Sequence, residues 1–169
     1  DGVELKRATD DPTGASSPYS FITRYQTLHG MRDVLAPLVR DARVAVPPML
    51  PAGWWSGADG GTPLDGRPGR PAVVEVYPAA TLRALDLPDR KYKGDSNHPD
   101  APERRERILD GLLDWGVALE GVPAQRLLGD SGGDALDALV AAVGVARGVA
   151  RDLAVDDERR DPIEGYIYV

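Results

Sequence analysis

The predicted fold is decided by one stretch, Ala72-Val73-Val74-Glu75-Val76-Tyr77-Pro78. Its β-branched residues favour a strand, and a proline bounds it on each side. Apolar side chains occupy both alternating faces, which is typical of a central strand covered by helices on both sides of a sheet. The sequence therefore predicts an α/β domain built around this strand.

On both sides of the strand, the hydrophobic spacing predicts mostly helices. Asp100, Pro102 and Glu103 form a helix-start pattern. Apolar residues at steps of three and four predict a second long helix over 133–155. We also expect helices over 18–40, kinked near Gly30 and Pro37, and over 79–85, and short strands at 3–7 and 165–169.

A long loop separates the first predicted helix from the strand. Residues 47–71 carry prolines and glycines at a spacing that neither a helix nor a strand tolerates. Trp54 and Trp55 inside it could pack the loop onto the core or contact a protein partner. With 169 residues, of which 42% are hydrophobic, we expect residues 1–169 to form a single domain around this loop.

The composition excludes several classes of function. The absence of cysteine excludes disulfides, thiolate metal sites and cysteine nucleophiles, and two histidines leave little room for a multi-histidine metal site. A net charge of -7 repels nucleic acid at long range, so phosphate binding would need a local basic patch or a metal. The sequence holds neither a run of about 18 apolar residues nor a signal-peptide pattern, so we expect no membrane span and a cytoplasmic location.

Glu75 is the first candidate site residue, because it lies among valines in a strand predicted to be buried. A buried carboxylate must be paired, protonated or metal-bound, or lie at the margin of the sheet. In open α/β sheets, ligands bind at the carboxyl ends of strands. The structural alternative is an ion pair between Glu75 and an arginine.

Asp134 and Asp137 are the second candidate. A three-residue step places both carboxylates on one side of a helix, where their charges repel unless a positive group lies between them. A divalent cation such as Mg²⁺ could be that group. The alternative is that aspartates in this region, among them Asp130, cap the helix.

The third candidate is the basic segment that contains Arg90, Lys91, Tyr92 and Lys93 in an otherwise acidic chain. Its cations could bind phosphate while the tyrosine stacks or packs. The alternative is a solvated loop.

Several of these stretches, in this order, resemble domain-of-unknown-function family 429, whose members are described as predicted ribonuclease-H-like nucleases. The resemblance runs from about residue 5 to the end of the chain and diverges between about 41 and 70. The stretches that carry it are Arg7-x-Thr9-Asp10, the strand at 73–80, Leu85-x-Leu87-Pro88, Tyr92-Lys93-Gly94, the helix at 134–142 and the terminal segment 164–169.

The resemblance implies a ribonuclease-H-like fold, a mixed five-stranded sheet with helices on both faces. Glu75, Asp134 and Asp137 would be catalytic residues and ligands of Mg²⁺ or Mn²⁺ for phosphodiester hydrolysis. Arg90, Lys91 and Lys93 would contact the phosphates of a nucleic acid. The family opens with strands of which the first carries an aspartate, and nothing before Val3 supplies them, so we expect an N-terminally incomplete domain.

The leading hypothesis is therefore a metal-dependent nuclease-like domain. A non-catalytic binding domain on the same scaffold is one alternative, and a hydrolase of nucleotides or other small phosphate esters is another. An ion pair between Glu75 and an arginine would favour the binding domain.

Overall fold

The computed structural model describes residues 5–41, 43–46, 71–151, 153–156, 158–160 and 164–169. The chain divides into two compact units. The first, which we call the terminal unit, takes in residues up to Glu75 together with 148–168, and the second, the central unit, takes in residues 76–147 together with Val169. The predicted loop at 47–71, with Trp54 and Trp55, falls outside the described residues except for Pro71.

In the terminal unit, the described residues of the strand expected at 3–7 are not in a strand, and a turn and a short helix follow them. Residues 5–7 form no strand, and α1 spans Asp10–Thr13. The backbone N–H of Arg7 donates to Asp10 Oδ2 at 2.9 Å, so this donor serves a local turn and not a sheet. The expectation of a strand is therefore wrong over these residues.

The helix expected over 18–40 is confirmed from residue 24 onward. It consists of α2 (Arg24–His29), a π-helical segment (Gly30–Leu35) and α3 (Ala36–Arg40), which follow one another without a break. Pro37 has no backbone N–H to donate into the preceding turn, and a local widening of the helix accommodates that loss. The predicted kink is thus a π-helical segment.

The predicted central strand is much shorter than expected. β1 spans Glu75–Val76 and pairs with β2, Ile167–Tyr168, in a small two-stranded parallel sheet. The expectation that helices cover both faces is wrong, since Val73 is 38% exposed and Glu75 is also exposed. Among the described residues β1 has only β2 as a strand partner, so the pattern of valines overstated its burial.

The central unit is helical. It contains α4 (Pro78–Ala84), α5 (Ala101–Asp114) and α6 (Ala124–Leu128), and α7 (Asp134–Val149) begins in it. The predictions for α4, α5 and α7 are confirmed, although α7 ends before residue 155, and the sequence pattern missed α6. The core consists of Leu82, Tyr92, Ile108, Leu112, Leu136, Val140 and Val143.

The chain is thus a mixed helix and strand protein. None of the helices in the described part of the chain is both long and apolar enough to cross a membrane.

Candidate functional site

The six predicted site residues are divided between the two units. Glu75 belongs to the terminal unit, whereas the two aspartates and the three cations belong to the central unit.

Glu75 is held by an arginine. Arg7 Nη1 donates to Glu75 Oε2 at 2.8 Å, and Arg7 Nη2 donates to Glu75 Oε1 at 2.7 Å. Such a bidentate pair fixes the plane of the carboxylate as well as its charge. This is the ion pair that the sequence left open as the structural alternative.

Arg7 also holds Asp10, which is 0% exposed. Its Nε and Nη2 donate to Asp10 Oδ1 at 3.0 and 2.7 Å, and Nη1 also donates to the backbone carbonyl of Glu164 at 3.2 Å. All five N–H donors of a guanidinium are thereby used. Burial alone would lower the pKa of Arg7, but the hydrogen bonds to Glu75 and Asp10 raise it above its ordinary value. Arg7 is therefore a charged structural clamp and has no donor left for a phosphate.

In the central unit, both oxygens of Asp137 are engaged. Tyr92 donates its hydroxyl to Asp137 Oδ1 at 2.6 Å, and Lys93 Nζ donates to Oδ2 at 2.6 Å. Burial raises the pKa of Tyr92, and the hydrogen bond to Asp137 adds to the increase, so the tyrosine stays a proton donor. Asp137 is an anchored carboxylate in the first turn of α7.

Lys93 Nζ also lies 3.7 Å from Asp134 Oδ1. The positive group between the two aspartates is therefore a lysine ammonium, where the sequence raised the possibility of a divalent cation. Asp134 itself is 91% exposed at its side chain. This arrangement relieves the repulsion expected from the three-residue step.

The local backbone explains the position of Lys93. The N–H of Gly94 donates to the carbonyl of Ser131 at 2.8 Å, which ties this segment to the turn before α7. The stem of Lys93 passes over Gly133, where a Cβ would come within 2.8 Å of Lys93 Cγ. Gly133 also has a φ of +73°, so it combines a glycine conformation with a close approach.

Asp130 has the capping role that the sequence offered as an alternative. Its Oδ2 accepts the N–H of Ala135 at 2.8 Å, and its Oδ1 accepts the N–H of Gly132 at 3.1 Å. These backbone hydrogen bonds, with that of Ala135 first, lower the pKa of Asp130. This aspartate therefore stabilises the start of α7.

A pocket of about 390 Å³ lies in the central unit beside these residues. Among the residues that the structure describes, its charged lining consists of three cations and two acids. Asp89 accepts a hydrogen bond from Arg83 at 2.6 Å, so both acids of the lining have cationic partners. The lining residues are Tyr77, Pro78, Ala79, Asp89, Arg90, Lys91, Tyr92, Lys93, His98 and Asp137.

The structure thus brings together four of the six predicted site residues: Arg90, Lys91, Lys93 and Asp137. Arg90 is 82% exposed at its side chain, and its ion pair to Asp89 is long, at 3.7 Å. Lys91 is also exposed. Two of the three cations therefore extend into solvent at the pocket.

Lys91 has an unusual backbone conformation, with a φ of 59°. This region favours glycine, and an L-residue with a long side chain is strained there. Strained backbone of this kind is often found at functional sites.

A divalent cation at Glu75 or at Asp137 would compete with a cationic side chain that the carboxylate already contacts. Each carboxylate oxygen of Glu75 and Asp137 already accepts a hydrogen bond from a cation or a tyrosine. Within the residues that the structure describes, no group of three or more His, Asp or Glu side chains could hold a metal ion.

The sequence pattern does not reveal the role of Arg7 as a clamp. The spacing of Arg7 and Asp10 was visible as a motif, but the partner at Glu75 lies 68 residues away. Tyr92 was expected to stack or pack, and its hydrogen bond to Asp137 was not foreseen.

The fold and the pocket define a mixed helix and strand protein with a cationic pocket. The model of the family described as "Protein of unknown function (DUF429)" matches residues 58–159, which is more than half of the chain. The chain therefore belongs to this family, as its motifs predicted. The matched range contains all six predicted site residues: Glu75, Arg90, Lys91, Lys93, Asp134 and Asp137. No curated protein and no solved structure matches the chain.

Proposed function

We propose that the chain binds a phosphate ester of nucleotide size in the pocket of the central unit. The observation that carries this proposal is the concentration of Arg90, Lys91 and Lys93 around one concave site in a chain of net charge -7. A volume of about 390 Å³ lies within the range of about 300 to 1,000 Å³ that is typical of small-molecule sites.

The cations would have distinct roles in binding. Arg90 can offer a planar fork of N–H donors to two phosphate oxygens. Lys91 would add a second charge from the strained turn. Lys93 would position the site, because Asp137 already holds its ammonium at 2.6 Å.

The acidic surface supports a nucleotide over a long nucleic acid as the ligand. A strand of nucleic acid brings a charge at every phosphate, and a chain of net charge -7 repels it beyond the pocket. A nucleotide presents only its own phosphate to the cations. We infer a ribonuclease-H-like scaffold for the site because the resemblance implies that fold.

Hydrolysis of the bound ester, the nuclease-like activity that the resemblance implies, is the second candidate function. The presence of Asp137 in the same pocket as the cations favours it. Calorimetry with Mn²⁺ tests this candidate. Binding of Mn²⁺ that is lost in Asp134→Asn would support it. If the wild type does not bind Mn²⁺, only the binding of the phosphate ester remains as the proposed function. Incubation with oligonucleotides and with free nucleotides would then separate a nuclease from a nucleotide hydrolase.

The experiment for the leading proposal is calorimetry with adenosine 5′-monophosphate, with adenosine as the uncharged control. We expect the nucleotide to bind and adenosine to bind at least about tenfold more weakly, since about 1.4 kcal/mol corresponds to a factor of ten. The double variant Arg90→Gln/Lys91→Gln should weaken nucleotide binding about tenfold.

A matched control removes two positive charges elsewhere. Lys6→Gln/Arg24→Gln changes residues of the terminal unit, which do not line the pocket. This control should leave nucleotide binding unchanged within about twofold. Equal losses in the two double variants would mean that net charge and not the pocket governs binding, and the proposal would be wrong.

A further inference from the structure

Arg105 is a buried cation of the central unit, and it contacts the basic segment that lines the phosphate pocket. Its side chain is only 2% exposed. It belongs to α5, and neither Arg105 nor its acidic partner Asp95 is among the described residues that line the pocket. A charge buried to this extent has to be paired and hydrogen-bonded. The acceptors that Arg105 holds therefore define its role.

The guanidinium of Arg105 joins three segments of the chain. Nη1 donates to the backbone carbonyl of Tyr92 at 2.9 Å. Nη1 and Nη2 donate to the two carboxylate oxygens of Asp95 at 2.6 and 3.1 Å. Nε donates to the backbone carbonyl of Leu128, at the end of α6, at 2.8 Å. A planar fork of donors can hold acceptors on several segments at once, which a single ammonium cannot do in the same way.

The carbonyl of Tyr92 that Arg105 holds lies between two of the pocket cations. Tyr92 links Lys91 to Lys93 in the chain, and both lysines line the pocket. Lys91 has a left-handed φ of 59°. Strained backbone of this kind persists only where the surrounding structure fixes it. The hydrogen bond from Arg105 to the residue after Lys91 therefore helps to hold the strained turn.

A second contact fixes the same segment just after Lys93. The backbone N–H of Gly94 donates to the carbonyl of Ser131 at 2.8 Å. Asp95 is the next residue, and its bidentate pair with Arg105 ties it to α5. Residues 92–95 are thus held both from α5 and from the turn before α7.

We propose that Arg105 is a positioning residue of the phosphate pocket. Through Asp95 and the carbonyl of Tyr92 it fixes the backbone, so that Lys91 and Lys93 already lie at the pocket before a ligand binds. Such preorganisation raises affinity, because the ligand does not have to order the segment on binding. This role rests on the proposed binding of phosphate, but the order of the segment can be measured without a ligand.

Asp95→Asn tests the role and leaves the buried guanidinium in place, whose removal would destabilise the whole unit. The change keeps an acceptor for Arg105 and removes the charge of the pair. By calorimetry, Asp95→Asn should bind adenosine 5′-monophosphate about fivefold more weakly than the wild type. Without ligand, hydrogen exchange at the Gly94 amide should become about tenfold faster. Exchange at the amide of Val140, a core residue in α7, should stay within about twofold.

Asp100→Asn is the matched control. The side chains of Asp95 and Asp100 are similarly exposed, 43% and 48%, and each accepts from an arginine of α5. The pair of Asp100 with Arg104 joins residues four apart at the start of the helix. Asp100→Asn should therefore leave both the affinity for adenosine 5′-monophosphate and the exchange at Gly94 unchanged within about twofold.

Two outcomes would overturn the positioning role and leave the phosphate site standing. One is equal affinity of Asp95→Asn and Asp100→Asn for adenosine 5′-monophosphate. The other is faster exchange of Gly94 and Val140 by the same factor, because Asp95 would then act on the whole unit and not on the segment. A wild type that does not bind adenosine 5′-monophosphate would instead overturn the phosphate site, and the role of Arg105 with it.

Discussion

Two arginines of this chain differ in what surrounds the guanidinium. Arg7 is buried, and acids and a carbonyl accept all its donors, whereas Arg90 is 82% exposed beside one acid at 3.7 Å. A cation whose donors are all used stabilises the fold, and a cation with unused donors can bind a ligand. The difference explains why a charge count alone could not tell a structural site from a binding site.

The largest effect should come from Arg7→Ala. This change leaves the fully buried Asp10 without its counter-charge and releases Glu75. We expect the free energy of unfolding to fall by about 3 to 5 kcal/mol, as is typical when one partner of a buried ion pair is removed. Urea denaturation measures this loss.

Arg90→Ala is the control for this prediction. It should change the free energy of unfolding by less than about 0.5 kcal/mol, because the side chain is exposed. Arg7→Lys tests the same difference, because one ammonium cannot form bidentate pairs with two acids. We expect its free energy of unfolding to stay well below that of the wild type. Similar stabilities of Arg7→Ala and Arg90→Ala would contradict the distinction between the two arginines.

The helices of the central unit and the short strand β1 show which parts of the fold the sequence could predict and which it could not. The central helices α4, α5 and α7 follow from periodicity and helix-start signals such as Pro102, which act over a few residues. The short length of β1 could not be predicted in this way, because strand length depends on partners that lie far away in the chain.

The site residues show the same limit. The basic segment was identified, and three of its cations line one pocket together with Asp137. The pairing of Glu75 with Arg7 spans 68 residues, and that of Lys93 with Asp137 spans 44. Local patterns carry no information about which acid a distant cation contacts.

A smaller effect is expected for Tyr92→Phe in the central unit. The lost hydrogen bond to Asp137 should lower the free energy of unfolding by about 1.5 kcal/mol at pH 8. The pKa of Tyr92 is raised in the folded state, chiefly by burial. The folded state therefore keeps the hydroxyl proton of Tyr92 at pH values above about 10, where the unfolded state loses it. The contribution of Tyr92 to the free energy of unfolding is present below the unfolded pKa and is lost as the pH rises through the folded pKa.

Urea denaturation of both proteins at pH 8 and pH 11 checks this prediction. The wild type should lose more stability than Tyr92→Phe between these pH values, so that the gap between them narrows. Tyr168, whose pKa burial raises to about 12, contributes equally to both proteins. Tyr25→Phe, a change at an exposed ring, should follow the wild type at both pH values. A gap that widens at pH 11 would contradict the raised pKa of Tyr92.

The smallest effect on stability, and the sharpest test of the pocket, comes from Lys91→Gly. Lys91 and Asp86 both have a positive φ, 59° and 57°, but only Lys91 lines the pocket. Glycine relieves a strain of about 1 to 2 kcal/mol in the folded chain. It also adds about 0.5 to 1 kcal/mol of conformational entropy to the unfolded chain, which opposes that gain. Each glycine variant should therefore be as stable as the wild type, or more stable by up to about 1.5 kcal/mol. Lys91→Gly should nevertheless bind adenosine 5′-monophosphate about fivefold more weakly, whereas Asp86→Gly should bind it as the wild type does. Because Lys91→Gly is expected to weaken binding without lowering stability, a loss of binding cannot be attributed to unfolding. Unchanged binding in Lys91→Gly would remove this lysine from the site.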